Sequence, residues 1–320
     1  MVNVNVLPKR HKVCQSVCRA CFLCGMRIAV TGTTGQLGGR LCALSDAPVA
    51  QGMTLLPCGR EMMDLDDADS VPRALDALEP DVLIHCAAYT AVDAAEDDAE
   101  SALRINGTAS GWMGKACAER NIKVVHISTD YVFDGRGTAP YAPTDPTDPT
   151  GVYGSSKRLG EEALLSTLPG ASVVRVGWLY DRNGRNFLNT MLRLASEREV
   201  LTVVDDQLGC PTHAGDFAED LLHWTRALTA GDEGCTGIHH YGHSGITSWH
   251  GFASAIMQLR APHVRVEPVA SDAFPTRAVR PAYSKLDERG FFERLGRSAI
   301  SWEEALKRCL DAKFAATPSA

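Results

Sequence analysis

A short apolar strand that runs directly into a glycine-rich turn and then a helix is the feature that most constrains the fold. The strand covers residues 28–31, the turn residues 32–38, and the predicted helix residues 36–44. Glycines permit a tight turn, close approach of the backbone to a pyrophosphate, and contact between helix and strand. The first N–H groups of the helix are free to bind an anion. We therefore predict a dinucleotide-binding turn, against the alternative of an ordinary glycine turn. Its residues are Gly32, Gly35, Gln36, Leu37 and Gly38.

Strand and helix patterns alternate along the chain as far as residue 176. Further strands are predicted at residues 53–57, 82–87, 124–128 and 172–176. Helices are predicted between them at residues 71–78, 94–119 and 153–166. This alternation is typical of βαβ units and a parallel sheet. The sequence thus predicts an α/β fold with a Rossmann-like doubly wound parallel sheet over residues 26–176, followed by a smaller C-terminal lobe.

The alternation becomes irregular after residue 177. Helices are predicted near residues 186–197, 215–229, 248–260 and 301–312. We assign residues 177–320 mainly to a substrate-binding lobe that completes a cleft over the glycine turn, and we expect some of its segments to return to the sheet.

Composition and charge exclude several classes of protein. The 320 residues are 45% hydrophobic, which is enough to bury the core of one large domain or two modest ones. The net charge of −7 argues against a nucleic-acid-binding protein, which usually has a basic face. No run of about eighteen apolar residues is present, so no transmembrane helix is predicted. The later cysteines form no disulfide pattern, which is typical of a reducing cytoplasm.

Four cysteines lie in the N-terminal segment, at Cys14, Cys18, Cys21 and Cys24. Their spacing permits a metal or iron–sulfur site, but no second set of ligands with matched spacing follows. Met26 stands directly before the first strand. We interpret residues 1–25 as an extension outside the folded unit.

The cofactor preference is predicted from the residues after the second strand. An acidic residue there would bind the ribose hydroxyls of NAD, but this chain has Cys58-Gly59-Arg60. Arg60 could pair with a 2′-phosphate, so the sequence favours NADPH and leaves NADH as an accepted cofactor; a solvated arginine is the alternative. Asp64 and Leu65 are predicted to flank the adenine.

A tyrosine and a lysine four residues apart carry the predicted chemistry. Tyr153 and Lys157 lie on one face of a predicted helix. A phenol has a pKa near 10, and a nearby ammonium lowers that pKa, so Tyr153 could exchange a proton near neutrality. Thr129 or Ser128, at the end of the preceding strand, could polarise a substrate carbonyl; for Thr129 the alternative is a hydroxyl that caps the backbone. The residues indicate a carbonyl reductase.

Seven stretches of the chain resemble the extended short-chain dehydrogenase/reductase family, and more narrowly the dTDP-4-dehydrorhamnose reductases. They are residues 32–38, 87–93, 128–133, 152–157, 177–180, 206–212 and 280–286. The resemblance implies reduction of the 4-keto group of dTDP-4-dehydro-L-rhamnose to dTDP-L-rhamnose with NAD(P)H, a step of nucleotide-sugar and polysaccharide biosynthesis.

The resemblance also implies roles for individual residues. Tyr153 would be the proton donor, Lys157 would bind the nicotinamide ribose and tune Tyr153, and Thr129 would polarise the C4 carbonyl. Asp130 and Trp178 would contact the sugar. The cofactor would be lined by Ala87, Ala88, Tyr89 and Thr90. Independently of the resemblance, Arg277, Arg280 and Lys285 are candidates to bind the diphosphate of a nucleotide sugar. Simple surface charge is the alternative.

The sequence offers two further indications of a metal site, one of them linked to dimer formation. Some relatives dimerise around Mg²⁺ held by glutamates, one of them just after the glycine turn. Here Arg40 occupies that neighbourhood, so a homodimer is allowed but a metal-linked one is not expected. Four histidines could suggest a metal site, but a strand followed by a loop explains them better, and we assign no residue to a metal. These histidines are His239, His240, His243 and His250.

Two other functions fit the same fold. A nucleotide-sugar epimerase or dehydratase is disfavoured, because dehydratases usually carry an acid–base carboxylate pair after the strand-end hydroxyl and Thr129 is followed by Asp130 alone. A regulatory subunit of methionine adenosyltransferase would bind NADP without turnover. Because Tyr153 and Lys157 are both present, the sequence favours an active enzyme.

Overall fold

The computed structural model describes residues 25–315, with side chains through residue 311. The interpretation of residues 1–25 as an extension, with their four cysteines, therefore lies outside the described residues apart from Gly25. Within the described range, no helix is both long and apolar enough to cross a membrane.

Twelve strands and eleven α-helices are named within the described residues. The strands are β1 (Met26–Thr31), β2 (Met53–Cys58), β3 (Val82–His85), β4 (Lys123–Thr129), β5 (Ser172–Val176), β6 (Leu179–Tyr180), β7 (Val200–Val204), β8 (Leu208–Gly209), β9 (Thr212–His213), β10 (Gly237–Tyr241), β11 (Thr247–Ser248) and β12 (Arg265–Val269). The helices are α1 (Gln36–Ala43), α2 (Ser70–Leu78), α3 (Val92–Ala95), α4 (Ala99–Ala102), α5 (Ala109–Ala118), α6 (Val152–Thr167), α7 (Phe187–Ala195), α8 (Ala214–Thr229), α9 (Trp249–Arg260), α10 (Arg289–Arg294) and α11 (Trp302–Ala315).

Six strands form one parallel sheet in the order β10-β5-β4-β3-β1-β2. Every residue of β3 and of β5 is buried, because helices cover both faces of such a sheet and its strands are near-continuous apolar runs. The predicted doubly wound parallel sheet is confirmed. Its outermost strand, β10, comes from the second half of the chain.

The two faces of the sheet have separate apolar cores. On one face, Leu41 of α1 and Leu221 of α8 pack on Ile28. On the other face, Leu75 of α2 and Leu164 of α6 belong to a second core. Burial of each such side chain is worth roughly 1.5–3 kcal/mol, so these two cores hold the strand ends, and the loops that leave them, in fixed positions.

A smaller lobe lies after β5 and has a third core. Helices α7, α9 and α11 pack there with the parallel pair β7–β12. Two further short pairs, β6–β9 and β8–β11, connect it to the main sheet region.

The prediction of one continuous helix over residues 94–119 is wrong. This segment is divided into α3, α4, a π-helical turn over Leu103–Thr108, and α5. Asp98 starts α4, because its side chain accepts a hydrogen bond from the Ser101 N–H at 3.3 Å, as N-cap residues do. The π turn places Asn106 at the site described below.

Candidate active site

A cavity of about 960 Å³ lies at the carboxyl edge of the sheet. Its walls are the glycine turn, the ends of β4 and β5, the start of α6, and the loop after β6. Ligands of open α/β folds bind at this edge. The structure brings many of the predicted site residues onto the wall, namely Gly32, Gly35, Gln36, Leu37, Gly38, Ala88, Thr90, Thr129, Asp130, Tyr153, Lys157 and Trp178.

Other predicted residues do not line this cavity, and they are Arg60, Asp64, Leu65, Ala87, Tyr89 and Arg280. Arg60 is exposed and forms ion pairs with Asp64 at 3.4 Å and Asp66 at 3.0 Å. Leu65 is buried in an apolar core with Ala29. The side chain of Leu65 therefore stabilises the fold beneath the site.

Arg280 reaches the cavity only through another side chain. Its guanidinium pairs with Asp93 at 2.5 Å, and its second terminal nitrogen donates to the Tyr131 hydroxyl at 3.3 Å. Tyr131 itself lines the cavity.

The glycine turn has the shape that a bound pyrophosphate requires. Gly32 has a φ of +67°, and a Cβ on it would lie 2.8 Å from the Ala87 nitrogen. A Cβ on Gly38 would overlap the carbonyl oxygen of Gly32. Gly35 is the N-cap of α1, with no side chain to cap the helix and no acidic residue in its first turn. The first N–H groups of α1 are thus available to a phosphate, and this turn fits a dinucleotide.

Tyr153 lies in the first turn of α6 and points into the site. Its ring packs edge-on against Tyr131, with the ring centroids 5.6 Å apart. Burial raises the pKa of Tyr153, while a hydrogen bond with Thr129 opposes that rise. The sequence analysis predicts a pKa lowered by Lys157, and that prediction is wrong for this structure, because desolvation of the phenol dominates and the amine is bound elsewhere.

Lys157 is held by the strand beside it. Its Nζ donates to the carbonyl oxygen of Ile127 at 2.7 Å and lies 3.2 Å from Nε2 of His126. Burial lowers the pKa of Lys157 from 10.5 to about 8, although Glu161 raises it. The amine is therefore fixed at the cavity wall, with a proton that is held less tightly than in water.

Two buried histidines support Lys157, and the sequence analysis missed both. His85 of β3 is paired in register with His126 of β4, and their rings stack at 5.2 Å. Burial lowers the pKa of His85 to about 3 and also lowers that of His126, so both rings are neutral. A neutral His126 can accept a hydrogen bond from the ammonium. The available signal was one histidine in each of two neighbouring apolar strands.

Asn106 was also missed, and it connects three parts of the site. Its Oδ1 accepts from the Tyr89 N–H at 2.8 Å, and its Nδ2 donates to the Tyr89 carbonyl at 3.0 Å. The same Nδ2 donates to the Ser156 hydroxyl at 2.9 Å. This fixes α6, and with it Tyr153, against the loop after β3. π-helical turns are frequent at functional sites.

The part of the cavity wall beside Thr129 carries an acid and an indole. Burial raises the pKa of Asp130 to about 6, and Thr129 donates to its carboxylate at 3.0 Å. Trp178 has a φ of +49°, a conformation that costs a bulky residue roughly 1–3 kcal/mol. It stacks on Trp249 with the ring centroids 3.6 Å apart, and its Nε1 donates to Ser284 at 3.0 Å. These contacts hold the strained residue against the cavity.

Arg40 follows the glycine turn where the resemblance implies a magnesium-binding glutamate. Its Nε pairs with Asp181 at 3.2 Å. A guanidinium has no acceptor atom and cannot coordinate a metal ion, so the residues present do not fit that magnesium site.

The parallel sheet, the glycine turn at its carboxyl edge, and the convergence of Tyr153, Lys157 and Thr129 on one cavity define a class of protein. It is a Rossmann-fold protein of the extended short-chain dehydrogenase/reductase class.

Comparison with known proteins places the chain within this class. The model of the RmlD substrate binding domain family matches residues 26–314, and the chain belongs to that family. The spore coat polysaccharide biosynthesis protein SpsK of Bacillus subtilis is 37% identical over 291 residues, 91% of this chain and 99% of that protein. A dTDP-4-dehydrorhamnose reductase of Burkholderia thailandensis is 40% identical over 296 residues, 89% of this chain and 98% of that protein. The resemblance seen in the sequence motifs is confirmed.

Solved structures agree with the sequence relatives. The dTDP-4-dehydrorhamnose reductase of Clostridium acetobutylicum has a TM-score of 0.83 at 33% identity, covering 90% of this chain and 99% of that chain. The enzyme of the same name from Bacillus anthracis, solved in complex with NADP, has a TM-score of 0.82 at 33% identity and the same coverage.

Proposed function

We propose that the protein reduces the 4-keto group of dTDP-4-dehydro-L-rhamnose to dTDP-L-rhamnose, with NADPH as the preferred reductant. The observation that carries this proposal is the position of Tyr153, Lys157 and Thr129 on a cavity whose other wall is the glycine turn. The names of the relatives support the substrate. The NADP bound to the Bacillus anthracis enzyme supports the cofactor.

The cofactor is held along the carboxyl edge of the sheet. The start of α1 would bind the pyrophosphate, Ala88 and Thr90 would line the dinucleotide, and Lys157 would bind the nicotinamide ribose. Ala87 and Tyr89 flank Ala88 in the chain but do not line the cavity. When bound, NADPH supplies the hydride. A 2′-phosphate would compete with two carboxylates for Arg60, because Asp64 and Asp66 already pair with it.

The proton comes from the Tyr153 hydroxyl. Its raised pKa keeps the phenol protonated near neutral pH, so Tyr153 acts as a general acid toward the carbonyl oxygen. The hydroxyl of Thr129, which donates to Asp130 in the free protein, turns to donate to the same oxygen and polarises the carbonyl. To stabilise the tyrosinate that remains, the Lys157 ammonium must turn from the Ile127 carbonyl toward Tyr153, since a nearby positive charge favours the ionised phenol.

The sugar nucleotide binds between the sheet and the lobe formed mainly by residues 177–320. Asp130 and Trp178 contact the sugar. Arg280, which pairs with Asp93, would act on the diphosphate through the Tyr131 hydroxyl that it contacts. A cytoplasmic location and a homodimer stay predictions from the sequence.

A coupled assay tests the reaction. The substrate dTDP-4-dehydro-L-rhamnose is generated enzymatically, the full chain is added with NADPH or NADH, and the loss of reduced-cofactor absorbance is followed. We expect oxidation that depends on the keto-sugar, a dTDP-rhamnose product, and a faster rate with NADPH. Cofactor binding without oxidation would contradict the proposal. That outcome would point to another nucleotide sugar as substrate, or to the regulatory-subunit function. The names of the reductase relatives do not support the regulatory-subunit function.

The pKa of Lys157 predicts how cofactor affinity changes with pH. Raising the pH through about 8 removes the proton from the ammonium, so the positive charge that binds the ribose is present below that pH and lost above it. We expect the association constant for NADPH, measured by fluorescence, to fall progressively as the pH rises from about 7 to about 10. Lys157→Met should bind weakly throughout and show no such fall. A wild-type affinity that stays constant over this interval would contradict the prediction.

A further inference from the structure

Three of the four histidines considered above lie within hydrogen-bonding distance of a backbone carbonyl through a ring nitrogen. His239 and His240 lie on β10, and each ring bonds a backbone carbonyl, at 2.9 Å in both cases. His250 likewise lies 3.2 Å from the carbonyl of Val266. Metal-ligating atoms converge elsewhere in the part of the chain that the structure describes.

A carboxylate oxygen of Asp181, a ring nitrogen of His213 and the sulfur of Cys309 lie within 4.8 Å of one another. The pairing of β6 with β9 sets Tyr180 beside His213, so Asp181 follows directly at the same place. Cys309 comes from α11. All three side chains are buried, with relative exposures of 1%, 6% and 1%. The cluster thus joins three segments that are far apart in the sequence.

The imidazole of His213 lies between two carboxylates. Its Nδ1 lies 3.2 Å from a carboxylate oxygen of Asp216, while its Nε2 lies 3.6 Å from Oδ1 of Asp181. A histidine that binds a metal through one nitrogen almost always gives its other N–H to a carboxylate. Neither ring nitrogen has a hydrogen-bond partner of good geometry within the described residues.

Charge and ligand type favour a cation of the zinc kind. We propose that Asp181, His213 and Cys309 form a binding site for Zn²⁺ or a similar divalent cation. Thiolate and imidazole ligands select such ions over Mg²⁺ and Ca²⁺. Two carboxylates lie beside the cluster: Asp181, which pairs with Arg40 at 3.2 Å, and Asp216, which lies 3.2 Å from Nδ1 of His213.

The three ligand atoms would have to move only slightly closer together to bind a zinc ion. Zinc bonds of about 2.0–2.3 Å set ligand atoms of a tetrahedral site roughly 3.2–3.8 Å apart, and the Asp181–His213 separation of 3.6 Å already lies in that range. Asp181 also lines the large cavity, which gives an ion a route to the site. The bound ion would link β6, β9 and α11 and would stabilise the lobe under the substrate side of the cavity.

Cobalt provides the test, because a thiolate bound to Co²⁺ gives a near-ultraviolet charge-transfer band. The full chain is used with Cys14, Cys18, Cys21 and Cys24 replaced by serine, so that these thiols cannot contribute. After treatment with a chelator, we expect one Co²⁺ per chain, the charge-transfer band, displacement of Co²⁺ by Zn²⁺, and a higher Tm with Zn²⁺.

Variants assign the signal to the cluster. In the same background, Cys309→Ser should lose the charge-transfer band, whereas Cys235→Ser, which removes another buried thiol, should keep it. Asp216→Asn should bind Co²⁺ about 10–100-fold more weakly, as loss of such a supporting carboxylate does. A band that survives Cys309→Ser, or a Tm unchanged by Zn²⁺ in a chain that binds no Co²⁺, would overturn the proposal. His213 would then be only a partner for two carboxylates.

Discussion

Tyr153→Phe is expected to lower kcat by about 10²–10⁴-fold, the usual contribution of a positioned general acid, while the Kd for NADPH stays unchanged. The substitution removes one oxygen and leaves the ring, so the packing against Tyr131 at 5.6 Å is kept. Steady-state kinetics with the keto-sugar and a separate fluorescence titration of NADPH measure the two effects independently.

A second buried phenol gives the matched control for this prediction. Tyr241 lies outside the cavity, and its hydroxyl donates to Asp220 at 2.9 Å. Tyr241→Phe should lower stability by about 1–3 kcal/mol, since it leaves a buried acceptor without that partner, and should leave kcat near that of the wild type. Wild-type turnover by Tyr153→Phe would refute the assignment of the proton donor.

Glu161→Gln is expected to lower the free energy of unfolding by about 3–5 kcal/mol. Glu161 on α6 binds Arg175 on β5 through both oxygens, at 2.9 and 2.6 Å, and the two side chains are only 3% and 2% exposed. Arg175 also lies over the ring of Phe133 at 5.0 Å. Removing the carboxylate leaves an uncompensated buried charge, which carries a cost of this size. Denaturant unfolding measures the loss.

Glu162, the next residue of α6, provides the control. Glu162 pairs with Arg158 at 3.2 Å, and these side chains are 61% and 40% exposed. Glu162→Gln should therefore change stability by less than about 1 kcal/mol. If Glu161→Gln had an equally small effect, the pair with Arg175 would not be the support that its burial indicates.

Features that repeat along the chain were predictable from the sequence. Apolar runs between helical patterns predicted the parallel sheet, because a strand that is buried on both faces consists almost entirely of apolar residues. The glycine turn and the pair of Tyr153 and Lys157 were predictable because their chemistry depends on local spacing. The single helix over residues 94–119 failed, because Asp98 can cap a new helix within an alanine-rich run.

Contacts between distant residues could not be predicted in the same way. His126 meets Lys157 only because strand register places them together. Arg60 seemed free for a phosphate, yet Asp66 lies within reach of it once the loop is folded. Trp178 and Trp249 stack across two segments of the lobe. Each of these depends on tertiary packing, to which local periodicity is insensitive.

The position of β10 at the edge of the main sheet bears on how the protein is made. A chain that has emerged from the ribosome only as far as residue 176 leaves β5 without its outer neighbour. Such an edge exposes unpaired N–H and C=O groups on an apolar strand, which is a template for aggregation. The sheet is therefore completed only after the segment through Tyr241 has been synthesised.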